Sequence, residues 1–257
     1  SDITIMLQAL LHKKLKDSFE NPHFRPSEDS LTSSVLGLMQ YLPDGVFWDL
    51  LRSSCGRLSN LPESVGAIIS VNFWDRWDAT DTWNTTLVAP DVWIDTKDYY
   101  ITVEAKKYDA SGMQHDDQWE NEIKALLNEN DGKLDKELIF IALGGNESLL
   151  DSTCIVDGIE YPIHTASWFN MLHAVDKLKM SLEEGHIHRL LTDIIHAFTI
   201  HGFFNITWLH TLKPINLNAQ SASWITDTLE FDNHIMFRGL YRPQNRIKYT
   251  NIPLWKK

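Results

Sequence analysis

Two short runs of alternating residues, three residues apart, constrain this chain more than any other feature. The first is Val88-Ala89-Pro90-Asp91-Val92-Trp93-Ile94-Asp95; the second is Tyr99-Tyr100-Ile101-Thr102-Val103-Glu104-Ala105-Lys106. Both are rich in β-branched and aromatic residues, and Lys97-Asp98 between them suits a two-residue hairpin turn. Such a turn pairs Thr96 with Tyr99 and sets the register beyond it, so Asp91 falls directly opposite Glu104. Directly opposed side chains have Cβ atoms about 5 Å apart. Two carboxylates at that separation repel unless positive charge lies between them. A divalent cation meets that need, since Mg²⁺ is commonly held by one or two carboxylates plus waters and substrate phosphates.

Side chains alternate along a strand. Ile101, Val103 and Ala105 share one face of the second run, which reads as core-directed, while Tyr100, Thr102, Glu104 and Lys106 share the other. Lys106 is therefore a neighbour of Glu104, and Asp91 joins them across the pair. An ammonium there can polarise water or stabilise charge developing on a phosphate. A solvated hairpin edge would give the same alternation, and Asp, Glu and Lys at this spacing form a loose pattern alone. The Pro-Asp start, the apolar flanks and the matching register favour the metal site.

Pro90-Asp91 followed by Glu104-x-Lys106 resembles the PD-(D/E)XK nuclease superfamily, the restriction-endonuclease-like proteins. The resemblance implies an α/β fold with an αβββαβ core, its mixed central sheet flanked by helices. It implies Mg²⁺-dependent hydrolysis of DNA phosphodiester bonds, with Mn²⁺ able to substitute. Asp91, Glu104 and the Ala105 carbonyl would hold the metal, and Lys106 would be the catalytic lysine. Two flanking features extend the resemblance to roughly residues 25–145.

Upstream, Pro26-Ser27-Glu28-Asp29 opens a helix with an apolar stripe of Leu31, Val35, Leu38 and Leu42, ended by Pro43-Asp44-Gly45. Many superfamily members carry an acid on this first helix close to the metal. Glu28 resembles it, with Asp29 as the alternative; an acid in a first turn also serves the helix dipole. Downstream, a helix is expected over 115–128, with Trp119, Ile123, Leu126 and Leu127 inward and Gln118 and Glu122 on the flank of that face. Several branches aim a glutamine from this helix into the site. Gln118 fits that placement and Gln114 is the backup; a solvated flank accounts for Gln118 equally well. Residues 137–145 then read as a buried, parallel strand ended by glycines.

The other elements are chemically quieter. A strand is expected over 66–73, followed by a connection whose Trp74, Trp77 and Trp83 either rim the site and touch substrate bases or plug the core edge. A strand over 160–166 leads into helices over 168–179 and 183–201, and 235–238 resembles part of a late strand. The organisation expected is an N-terminal helix (1–24), a nuclease-like core (25–150) and a mainly helical C-terminal elaboration (151–257). Five histidines between His186 and His210 lack cysteine partners at zinc-finger spacing.

A net charge of −12 speaks against simple polyanion binding. Residues 233–257 run the other way: they hold Arg238, Arg242, Arg246 and Lys248, end in two lysines, and contain no acid. Tyr241, Tyr249 and Trp255 interleave with these cations, so the tail suits phosphate tracking and base stacking. Packing of its aromatics on the acidic body explains the same composition. No run of eighteen apolar residues and no signal segment is present, and two cysteines fit a reducing cytoplasm. Gly144-Gly145 is too short for a phosphate-binding loop, so no nucleotide cofactor is expected. The reading is a cytoplasmic Mg²⁺-dependent DNA endonuclease serving restriction or phage defence, for which a homodimer would set two sites on opposite strands. The alternative is a catalytically silent nucleic-acid- or protein-docking module on the same fold.

Overall fold

Ser27 and Ser30 start the first helix by capping each other. The Ser27 hydroxyl accepts from the Ser30 amide (3.1 Å), and the Ser30 hydroxyl accepts from the Ser27 amide (2.9 Å). The computed structural model describes residues 26–83, 86–109 and 112–204. The N-terminal helix expected over 1–24, the strand near 235–238 and the basic tail with Arg238, Arg242, Arg246 and Lys248 lie outside the described residues.

Helix α1 spans Glu28–Met39 and α2 spans Asp44–Ser54. An antiparallel meander follows: β1 (Ile68–Phe73), β2 (Val92–Thr96) and β3 (Tyr99–Ala105). Helix α3 (Asp116–Glu129) crosses over to β4 (Glu137–Leu143), which lies parallel to β3. Then come β5 (Ser152–Val156), β6 (Ile159–Ala166), α4 (Trp168–Ser181) and α5 (His186–Ile200). The strands form one mixed, open sheet in the order β1-β2-β3-β4-β6-β5. The architecture is thus α/β, a six-stranded mixed sheet flanked by helices.

Helices cover both faces of the sheet. Ile101, Val103, Ala105, Ile139 and Ile141 pack with Leu31, Val35, Trp168 and Phe198 on one side. Tyr100, Phe140, Ala142 and Ile163 pack with Trp119, Ile123 and Leu126 of α3 on the other. Strands β3 and β4 are therefore buried on both faces. The polar-looking face of β3 is roofed by α3, so Thr102 and Glu104 are interior residues.

The sheet also continues past residue 150. Strand β6 inserts beside β4 in parallel, and β5 pairs with β6 as an outer strand. The expectation of a mainly helical segment after 150 missed β5. Asp157 (φ 51°) and Gly158 (φ 79°) close that hairpin with two left-handed residues, and Asp-Gly is the dipeptide such a turn favours. Among the described residues no helix is long and apolar enough to cross a membrane.

His201 joins α5 to the start of α1. Its Nδ1 pairs with the Ala197 carbonyl (2.7 Å) and its Nε2 with the Ser30 hydroxyl (2.8 Å). Burial lowers its pKa, the Ala197 bond works the other way, and Lys107 lowers it again. An imidazole depressed in the fold takes its proton more readily in the unfolded chain. Its contribution to stability is present above the ordinary histidine pKa and is lost as pH falls below it. His201→Asn should lower the melting temperature at pH 7.5 and reduce the loss of stability between pH 7 and 5. Equal pH slopes in wild type and variant would contradict this role.

Candidate active site

The β2–β3 pairing brings the two acids together as the turn geometry dictates. Val92 faces Val103 and Trp93 faces Thr102, and the same register carried one step further sets Asp91 against Glu104. Asp91 precedes β2 and is held at both oxygens. Its Oδ2 accepts from the Ala105 amide (2.9 Å) and its Oδ1 from the Trp74 indole N–H (2.9 Å). The acid thereby ties the start of β2 to the end of β3 and to the loop after β1. Asp91 is 8% exposed and Glu104 2%.

Lys106 follows β3 on the same side as Glu104. Its ammonium donates to Glu104 Oε1 and to Gln118 Oε1 (3.0 Å). Gln118, in the first turn of α3, returns a bond from Nε2 to Glu104 Oε1 (2.6 Å). The carboxylate, the ammonium and the carboxamide thus close a ring. Gln114 plays a different part. Its Nε2 donates to the Glu104 carbonyl (3.2 Å) and the Gly144 carbonyl (3.1 Å), while its Oε1 accepts from the Trp119 indole (2.9 Å). It clamps α3 to the ends of β3 and β4.

Two glycines let the chain pass close to Lys106. Gly144 (φ 74°) and Gly145 (φ 70°) follow β4 in the left-handed region that glycine tolerates. A Cβ on Gly144 would lie 2.6 Å from the Lys106 carbonyl oxygen; one on Gly145 would lie 3.0 Å from Lys106 Cβ. The Lys106 amide donates to the Leu143 carbonyl (2.8 Å), and the Trp168 indole donates to the Lys106 carbonyl (2.7 Å). The pair that is too short for a phosphate loop is therefore a seat for the lysine.

Glu28 also reaches the end of β3. Its Oε2 accepts from the Lys107 amide (2.9 Å), and its charge acts on both Asp91 and Lys106. Ala105, whose carbonyl the resemblance assigns to the metal, is fully buried, and its amide donates to Asp91. Glu104, Lys106 and Gln118 are thus hydrogen-bonded to one another, Asp91 to the adjacent Ala105 amide, and Glu28 to the Lys107 amide. Of the three loop tryptophans, Trp74 and Trp77 are buried and only Trp83 is exposed, at 76%.

Glu122 is the residue that the sequence pattern undervalued. It lies one turn after Gln118, is 2% exposed, and its Oε2 has no hydrogen-bond partner. Periodicity placed it on a flank, where a carboxylate is normally solvated. The signal that points to it is its i, i+4 spacing from Gln118, which puts both side chains on one side of α3.

These carboxyls raise one another. Burial pushes Asp91 well above the usual carboxylate range, and Glu104 adds to the rise. Burial does the same to Glu104, with Glu122 the next cause. Glu122 is pushed up to about 7, chiefly by burial. Burial works against the Lys106 ammonium, but Glu104 outweighs it and the lysine's pKa is raised. Three buried carboxyls thus surround one ammonium, and they cannot all ionise near neutral pH without further positive charge.

Among the described residues no three His, Cys, Asp or Glu side chains are arranged to enclose a metal ion. An Mg²⁺ site needs fewer protein ligands, because waters and substrate oxygens complete its octahedron. Asp91 and Glu104 are both oxygen donors, but the Asp91 oxygens accept from Ala105 and Trp74 and Glu104 Oε1 accepts from Lys106 and Gln118, so a cation would have to share or displace these bonds. Glu122 interacts with Glu104, and a proton held between these two buried carboxyls relieves part of their repulsion. Oxygen donors of this kind are the ligands that hard divalent cations take.

A cleft of about 410 Å³ adjoins this cluster, lined by Val88, Ala89, His115, Asp117, Gln118, Asn121 and Glu122. It lies between the residues preceding Pro90-Asp91 and the N-terminal half of α3.

The chain is 26% identical over 230 residues to an uncharacterized protein of Pasteurella multocida (strain Pm70), PM0110, covering 81% of this chain and 85% of that relative. No family model and no solved structure matches the chain.

A carboxyl raised in the fold contributes stability that is complete below its unfolded pKa and lost as pH rises through its folded pKa. For Glu122 the loss runs from about pH 4.5 to above 7. Glu122→Gln should therefore melt like the wild type near pH 5. At pH 8 it should be more stable, by up to roughly 3 kcal/mol from the size of the shift. Thermal melts in EDTA at both pH values check this; a variant less stable at pH 8 would contradict it.

Proposed function

We propose that the chain is a metal-dependent nuclease of the PD-(D/E)XK type that hydrolyses DNA phosphodiester bonds. One observation carries the reading: at the carboxyl end of β3, buried Asp91 and Glu104 lie beside the half-buried Lys106 and Gln118, with Glu104, Lys106 and Gln118 hydrogen-bonded together and Asp91 bonded to the next backbone amide. The order of elements supports it. Apart from α2, which lies between α1 and β1, the elements α1, β1–β2–β3, α3 and the parallel strand β4 come in the αβββαβ order expected of a restriction-endonuclease-like core. Ligands of open α/β sheets bind beyond the carboxyl ends of the parallel strands, and this cluster lies there.

Asp91, Glu104 and the Ala105 carbonyl would hold Mg²⁺ or Mn²⁺, with Glu28 as a more distant carboxylate. Such an ion supplies Lewis acidity and stabilises charge on attacking and leaving oxygens. The chain's own groups do the rest. Lys106 stays protonated because Glu104 raises its pKa, so it acts as a hydrogen-bond donor to a phosphate oxygen or to the attacking water. Gln118 fixes that ammonium in direction, and the Gly144-Gly145 seat fixes the backbone beneath it. Burial keeps bulk water from screening these charges.

The choice of DNA, a role in restriction or phage defence and a homodimeric form follow from the resemblance. The acidic composition favours a second reading, a docking module that uses the same cluster to bind a partner.

Supercoiled plasmid and single-stranded DNA, incubated with the protein in Mg²⁺, Mn²⁺ or EDTA, test the proposal. Cutting should require the cation. Glu104→Ala and Lys106→Ala should each lower it by at least about a hundredfold, as removal of a preorganised electrostatic group does. Cutting that survives both substitutions, or no cutting of any substrate, would move the assignment to the docking module.

A further inference from the structure

The cleft beside the catalytic cluster has a composition unlike that of a phosphate groove. Asp117 and Glu122 line it, and none of its lining residues is Lys or Arg. A phosphate would be repelled there, whereas a neutral planar group would not. Val88 and Ala89 give the cleft an apolar wall, and His115, Asp117 and Asn121 offer hydrogen-bonding groups opposite. Its volume of about 410 Å³ falls within the range of small-molecule sites. Gln118 belongs both to the cleft wall and to the ring with Glu104 and Lys106, so a group in the cleft lies next to the reacting centre.

Trp83 stands at the rim. Its amide donates to the Asn121 side-chain oxygen (2.8 Å), which fixes it to the cleft wall, while its side chain remains in solvent. The loop carrying it is pinned to α3 elsewhere. Asn128 Nδ2 donates to the carbonyls of Asp78 (3.2 Å) and Thr80 (2.8 Å), and the Asp78 amide donates to Glu129 (2.8 Å). The indole is thus presented to solvent from an anchored segment. An exposed aromatic side chain anchored through its backbone to the wall of a cleft without cations suits the stacking of an unpaired base.

We infer that this cleft receives one unpaired nucleobase of the substrate, stacked on Trp83, while its phosphate lies at Lys106. The inference rests on the nuclease reading and narrows its substrate to a strand with an extruded or single-stranded nucleotide beside the cut. A base held in a duplex stack cannot enter the cleft without unpairing.

The full chain with Mg²⁺ is assayed on a labelled single strand, on its duplex, and on a set of the same strands with one base removed at successive positions. KM and kcat are measured for wild type, Trp83→Ala and Trp83→Phe. The single strand should be the better substrate. Removing the base at one fixed position from the cut should raise KM roughly tenfold, the size of one base–aromatic stack. Trp83→Ala should raise KM equally on the intact strand and cause no further rise on the strand lacking that base; Trp83→Phe should restore most of the loss. Cleavage indifferent to every missing base and to Trp83→Ala would overturn the inference and leave the nuclease reading standing. Additive effects of the two changes would also overturn it, since the base and the ring would then act separately. If no strand is cut by the wild type, the nuclease reading fails and takes the cleft assignment with it.

Discussion

The hydrogen bond from the Ala105 amide to Asp91 carries more of this structure than its size suggests. It crosses from the end of β3 to the residue before β2, where strand pairing has stopped. Without it Asp91 would be a loop carboxylate free to turn toward solvent. With it, and with the Trp74 indole on the other oxygen, the acid is locked opposite Glu104 inside the protein. The two-residue turn at Lys97-Asp98 sets this opposition, since a one-residue slip would send every side chain of β2 to the wrong face. Helix α3 then closes over Glu104 and delivers Gln118 and Glu122 to the same place.

The resulting cluster is electrostatically expensive. Burying carboxylates costs several kcal/mol each unless they are paired or protonated, and one ammonium cannot serve three of them. A fold selected for stability alone would have Gln or Leu at Glu122. The scaffold around the cluster offsets the cost: β3 and β4 are buried on both faces, and Trp168 bonds to Lys106 from the side opposite α3. Groups whose charges conflict are held in place by rigid neighbours, which is the arrangement expected where function opposes stability.

Much of this was legible from residue pattern. The register of Asp91 against Glu104, the helices near Glu28 and Gln118, and the parallel strand at 137–143 follow from turn length, caps and periodicity. Other features depend on tertiary contacts that periodicity does not encode. Alternation assigned Thr102 and Glu104 to a polar face, but α3 covers that face. Periodicity sets Glu122 only on the flank of the apolar face of α3, and the same packing buries it. The role of Gly144-Gly145 appears only when Lys106 is brought against them across the β3–β4 pair. Strand β5 was missed although Asp157-Gly158 announced its turn, because its exposed and buried residues alternate over only five positions.

The central claim is that the Asp91–Glu104 pair is completed by a divalent cation. Calorimetric titration of Mn²⁺ into the chain at pH 7, repeated in buffers of different ionisation enthalpy, tests it most directly. The claim predicts one cation bound per chain with release of protons from the raised carboxyls, and loss of that binding in Glu104→Gln. Absence of binding, or binding that Glu104→Gln leaves intact, would contradict it.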